Sequence, residues 1–130
     1  MMSYHDERLG ELSFFYGWTK ALGLNINSKK YVIQCVFDAY SENEVVTDEQ
    51  KKSYQLFMEK QEYFEGLIFE NLTKYMHSGG VPTGTATPKT LLFKRNGDFG
   101  LLLDCDWDIE NGVVIVIYPE VKVGIQDIFL

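Results

Sequence analysis

Histidine is nearly absent from this sequence, with His5 and His77 the only two in 130 residues. A Ser-His or Cys-His pair would need one of them to meet its nucleophile across the fold, and neither falls in a two-His metal spacing. Cysteine is equally scarce. Cys35 and Cys105 each lie inside an apolar, strand-like run, where a free thiol behaves as a small hydrophobe. Two buried, reduced cysteines suit a cytosolic chain better than a disulfide framework. No stretch approaches the roughly 18 consecutive apolar residues of a membrane span. The first eight residues lack the apolar core of a signal peptide, so a cytoplasmic location is expected. Gly79-Gly80 and Gly84 do not lead from a strand into a helix, which argues against a phosphate-cradling loop.

Positive charge is the other shortage. Twelve Lys and Arg face nineteen Asp and Glu, for a net charge of −7, and the imbalance is uneven. Residues 78–97 hold three bases and no acid, whereas residues 98–130 hold seven acids and one base. A nucleic-acid binder needs clustered cations to displace counterions from phosphates, so that class is disfavoured. An acidic face instead steers basic partners or cations toward it. No cofactor is implied.

What is present specifies one domain over residues 1–130, long enough to bury about two-thirds of its unfolded surface. Leu12–Trp18 and Tyr31–Phe37 read as strands, separated by the turn formers Asn25, Asn27 and Ser28. Thr47-Asp48-Glu49-Gln50 is a capping box. Behind it, Tyr54, Phe57, Met58, Phe64, Leu67, Ile68, Leu72, Tyr75 and Met76 recur at helical spacing, predicting one long amphipathic helix to His77. Thirty residues would make roughly 45 Å of helix, so a bend or close packing is expected at Gly66. Residues 79–90, rich in Gly, Pro and Thr, read as a flexible loop. Strands then recur at Leu91–Arg95, Phe99–Asp104, Val113–Tyr118 and Val121–Gly124, the first two joined by Asn96-Gly97. The terminal Ile128-Phe129-Leu130 is expected to dock into the sheet. The fold class is α+β: an antiparallel sheet of about six strands carrying one long helix.

The densest chemistry is Asp104-Cys105-Asp106-Trp107-Asp108-Ile109-Glu110-Asn111-Gly112. Alternation places Leu103, Cys105 and Trp107 on one face and Asp104, Asp106 and Asp108 on the other. A hard-cation site is the alternative function for Asp104, Asp106, Asp108 and Glu110. Three in-line carboxylates on a strand spread over about 13 Å, however, and cannot converge on a calcium ion unless the strand curls. A turn fits the pattern better, with Asp108 accepting from the Glu110 amide, Asn111-Gly112 supplying positive φ, and Trp107 packed under the sheet. Asp104, Asp106, Asp108 and Glu110 then form a partner-facing acidic surface. No catalytic, cofactor or metal residues are assigned.

Two segments resemble an uncharacterised family of small bacterial cytoplasmic domains. One is the helix start Glu44–Gln50 with its amphipathic run to Tyr75. The other is Phe99–Gly112 followed by Val123-Gly124-Ile125-Gln126-Asp127-Ile128. The likeness spans most of residues 12–130 and includes a tryptophan like Trp18 in the first strand. It makes Trp18, Trp107, Gly112, Gln126 and Asp127 structural motif residues. Some members act as immunity-type proteins for polymorphic toxins. The resemblance therefore implies a non-enzymatic interaction domain with a protein partner, a basic toxin domain among the candidates. Homodimerisation through an uncovered sheet edge is a further expectation.

Overall fold

In the computed structural model, which describes residues 2–130, the chain forms one eight-stranded sheet and two helices. The strands are β1 (Ser3–Asp6), β2 (Gly10–Phe14), β3 (Trp18–Ile26), β4 (Lys29–Phe37), β5 (Ala86–Phe93), β6 (Phe99–Cys105), β7 (Val113–Tyr118) and β8 (Lys122–Gly124). They lie in the sheet in chain order. Every neighbouring pair is antiparallel except β4 and β5, which run parallel over Gln34–Phe37 and Thr90–Phe93. Two antiparallel meanders are thus joined along a short parallel seam. A parallel join requires a long crossover, and helices α1 (Asp48–Glu59) and α2 (Gln61–Ser78) supply it.

The expected α+β class holds, with eight strands rather than about six. The first additional strand is β1, which pairs with β2 from Ser3 opposite Ser13 to Asp6 opposite Gly10. The second arises because Leu12–Trp18 is not one strand. The chain turns at Phe15-Tyr16-Gly17, so Trp18 opens β3 instead of lying in the first strand. Tyr16 takes φ +56° there and Gly17 φ +139°. A Cβ on Gly17 would stand 2.9 Å from Val36 Cγ1 and 3.0 Å from the Phe37 carbonyl oxygen, leaving no room for a side chain. Asn27 and Ser28, at φ +50° and +67°, form the two-residue turn between β3 and β4, with Ile26 opposite Lys29.

The capping box forms as its sequence predicts. The Gln50 amide donates to Thr47 Oγ1 at 3.1 Å, and the Thr47 amide donates to Gln50 Oε1 at 2.9 Å. The fully buried Gln50 also donates through Nε2 to the carbonyls of Asp38 and Phe93, both at 3.0 Å. It thereby fastens the helix to the last residues of β4 and β5.

The single long helix is corrected to two, and the break lies at Lys60 instead of Gly66. Lys60 takes φ −122° and ψ 32°, while Gly66 lies within α2 with open space around the position of a Cβ. The polar run Glu59-Lys60-Gln61-Glu62 has no apolar side chain to hold it on the sheet. Breaking there lets the second helix take its own line across the platform. α2 touches β3 on one side and β7 and β8 on the other, so the sheet curls around it.

The main core lies between the helices and the concave face. Phe37, Phe57, Phe93 and Phe99 are fully buried, with the Phe93 ring stacked 5.0 Å from both Phe37 and Phe99. A smaller cluster covers part of the opposite face. There a 3-10 turn at Gln126–Ile128 brings buried Phe129 onto Val114 and Val116, flanked by Leu92 and Leu102. The C-terminus is therefore docked on the sheet through Phe129, while Leu130 is exposed. Among the described residues, no helix is long and apolar enough to cross a membrane.

Candidate functional site

The acidic stretch folds as a strand end and a turn. β6 stops at Cys105, so the predicted alternation holds through Asp104 and Cys105 and ends there. Asp104 projects from the face away from the helices and is exposed. Asp106 accepts from the Thr85 amide through Oδ1 at 3.0 Å, and its own amide donates to the Thr85 carbonyl at 3.0 Å. This reciprocal pair anchors the segment before β5. That strand begins at Ala86, so the loop expected over 79–90 is corrected to 79–85.

Asp108 is a turn former, but its partner is Asn111 rather than Glu110. Its carboxylate accepts from the Asn111 amide at 3.2 Å and from Asn111 Nδ2 at 3.1 Å. The Gly112 amide closes the turn on the Asp108 carbonyl at 3.0 Å. The wider turn arises because Ile109 and Glu110 both bulge outward between the anchors. Glu110 is exposed. Among the described residues, none of Asp104, Asp106, Asp108 and Glu110 has a cation within 4.0 Å.

The motif residues fall into three places. Trp18 is buried, donates through Nε1 to the Glu44 carbonyl at 2.6 Å, and meets the Tyr4 and Phe14 rings edge-on. Trp107 is half-buried, packed against the edge of the main core and beside the 79–85 segment. A Cβ on Gly84 would come within 2.6 Å of its Cε3 atom. Gly112 and Gln126 meet directly: Gln126 Nε2 donates to the Leu103 carbonyl at 2.9 Å, and its amide donates to the Asn111 carbonyl at 3.2 Å. Asp127 is exposed in the 3-10 turn.

Neither histidine hydrogen-bonds to a serine or cysteine among the described residues. His5 pairs with Glu11 at 2.8 Å on the surface, and His77 closes α2. Cys35 and Cys105 are both free. They lie two strands apart and about 16 Å along the sheet, since Cys35 faces Leu91 and Cys105 faces Ala86. Burial pushes the Cys35 thiol up to about 12 and also raises Cys105, so both stay protonated and unreactive near neutrality. Among the described residues, no three His, Cys, Asp or Glu side chains converge in a way that could hold a metal ion. With Asp106 turned to Thr85 and Asp108 to Asn111, the four acids do not share a centre.

The sequence did not point to a second feature, a cleft of about 370 Å³ where the two meanders part. β4 and β5 pair only at their C-terminal halves, so Lys29–Ile33 and Ala86–Lys89 diverge. The end of α2 floors the gap with Leu72 and Met76, while Lys29 supplies an ammonium and His77 an imidazole at its rim. Pro88 carried the one available signal. Its missing N–H cannot join a ladder, and it lies beside the bulge between Pro88 and Thr90.

Comparison of the chain with protein-family models, curated proteins and solved structures gives no match.

Proposed function

We propose that this chain is a non-enzymatic protein-interaction domain that turns the rim around Asp104 and Glu110 toward a basic partner. An immunity-type protein occluding a toxin would act in this way. The observation that carries the reading is the unpaired state of these acids. Asp104 and Glu110 are exposed and, among the described residues, have no cation within 4.0 Å, in a stretch of sequence, 98–130, that holds seven acids and one base. Asp106 and Asp108 accept hydrogen bonds locally and do not reach outward. The field of exposed acids raises the association rate more than the final affinity, and salt screens it over roughly 8–10 Å.

The test is co-expression with the product of the adjacent gene, followed by association kinetics at rising salt. Protection of the host, together with an association rate that falls steeply with salt and on Asp104→Lys plus Glu110→Lys, is expected. An absence of protection and of any salt-sensitive complex would reject the reading.

A further inference from the structure

We propose that the cleft between β4 and β5 receives an extended peptide segment of a protein partner, which adds as a strand to the free edge of Lys29–Ile33. β4 pairs with β3 along its whole length, from Trp18 opposite Phe37 to Ile26 opposite Lys29. On its other side only Gln34–Phe37 meets β5. Among the described residues, no hydrogen bond from the 79–85 segment reaches Lys29–Ile33. Along these five residues, about 17 Å of strand, the alternate amides and carbonyls that point away from β3 are therefore unpaired at the cleft, and such an edge is a template for an added strand.

The opposite bank cannot play this part. Pro88 has no amide hydrogen and Lys89 is bulged, so Ala86–Lys89 offers no regular ladder. A peptide on β4 would direct alternate side chains inward over Leu72, Met76 and Leu103 and the others to solvent. Its charge is specified as well. No Asp or Glu lines the cleft in a chain with nineteen of them, whereas Lys29 and His77 do. The segment is therefore apolar at alternate positions and carries a carboxylate at the end beside Lys29 and His77.

The inference is independent of the acidic rim, and the experiment separates the two. A phage-displayed random heptapeptide library is selected against the full chain. The winning peptides are then titrated while amide hydrogen exchange is followed. Enrichment of alternating apolar sequences with Asp or Glu, and slowed exchange within Lys29–Ile33, are expected. Met76→Trp, which fills the floor, should abolish binding. Lys29→Glu, at an exposed position that does not threaten folding, should weaken it about two- to fivefold. Asp104→Asn plus Glu110→Gln should leave it unchanged. No enrichment, protection elsewhere than Lys29–Ile33, or full affinity in Lys29→Glu would overturn the proposal.

Discussion

Gly112 and Gly66 are the same residue under opposite constraints. At Gly112 φ is +60°, and a Cβ would stand 2.5 Å from Gln126 Nε2 and 2.8 Å from the Leu103 carbonyl. Gly112→Ala therefore strains the backbone and displaces Gln126, and should cost about 2–3 kcal/mol in urea unfolding. Gly66 is exposed in the middle of α2 with nothing near the added carbon. Gly66→Ala should stabilise by about 1 kcal/mol in the same assay. Asp6 supplies a pH signature. Burial raises its pKa, but the Lys51 ammonium at 2.7 Å and the Arg8 and Leu9 amides outweigh burial and hold it below its ordinary value. Its contribution is therefore complete above the unfolded pKa of about 3.9 and lost as pH falls through the folded value. Lys51 is raised by the same contact, so its share is complete below about 10.4 and lost at higher pH. Asp6→Asn should lower stability by about 1–3 kcal/mol at neutral pH, and its gap from the parent should close below pH 4. The positive φ of Gly112 was readable in the sequence, whereas the Asp6–Lys51 pair was not, because Asp6 lies in a segment whose pairing depends on β2 and whose ion pair depends on α1.

Among the elements, α1 was the most legible and also the most instructive. Thr47 and Gln50 are three residues apart, so the capping box is a local fact that the sequence states outright. The other two bonds of Gln50 go to carbonyls 12 and 43 residues away, which no local pattern encodes. Gln50→Leu keeps helix propensity and volume but leaves the Thr47 amide without its partner and removes one of two donors from each carbonyl, the Asp38 carbonyl keeping Arg95 Nη1 at 3.2 Å and the Phe93 carbonyl the Asp38 amide at 2.9 Å. A loss of about 1–3 kcal/mol is expected, with amide exchange rising first in Gln34–Phe37. Unchanged exchange there would show that the parallel seam does not depend on the helix start. The break at Lys60 was missed for a related reason. Phe57 and Phe64 stack at 5.6 Å across it, so the apolar stripe stays nearly continuous while the axis changes. A stripe reports which side faces the core and says little about straightness. The acidic turn was legible as a turn, but its register slipped by one residue because Asp108 can reach either following amide.

For the molecule as a whole, the sequence-local cluster Asp104–Glu110 stays together on one strand end and its turn, while β5 brings Lys89 of the basic stretch alongside β6. The parallel seam does not announce itself in the same way, because it unites strands separated by nearly fifty residues. One consequence is that the sheet has a large face turned away from the helices, and the chain covers only part of it. Phe129, beneath Lys94 at 4.2 Å from the ring centroid, caps Val114 and Val116. Beyond it the face is open, with Val32 82% exposed and the exposed Phe15 and Tyr16 adjoining Val36 at the β2–β3 turn. Phe129→Ala should cost about 2–3 kcal/mol from lost burial and the cation–π contact. It would also join Leu92, Leu102, Val114 and Val116 to the apolar surface already exposed around Val32 and Val36. Contiguous patches of more than a few hundred Å² drive association in otherwise monomeric domains. Sedimentation of Phe129→Ala should therefore show concentration-dependent self-association absent from the parent. A destabilised but strictly unchanged sedimentation profile would mean that Phe129 acts through packing alone, and that the open face does not associate even when enlarged.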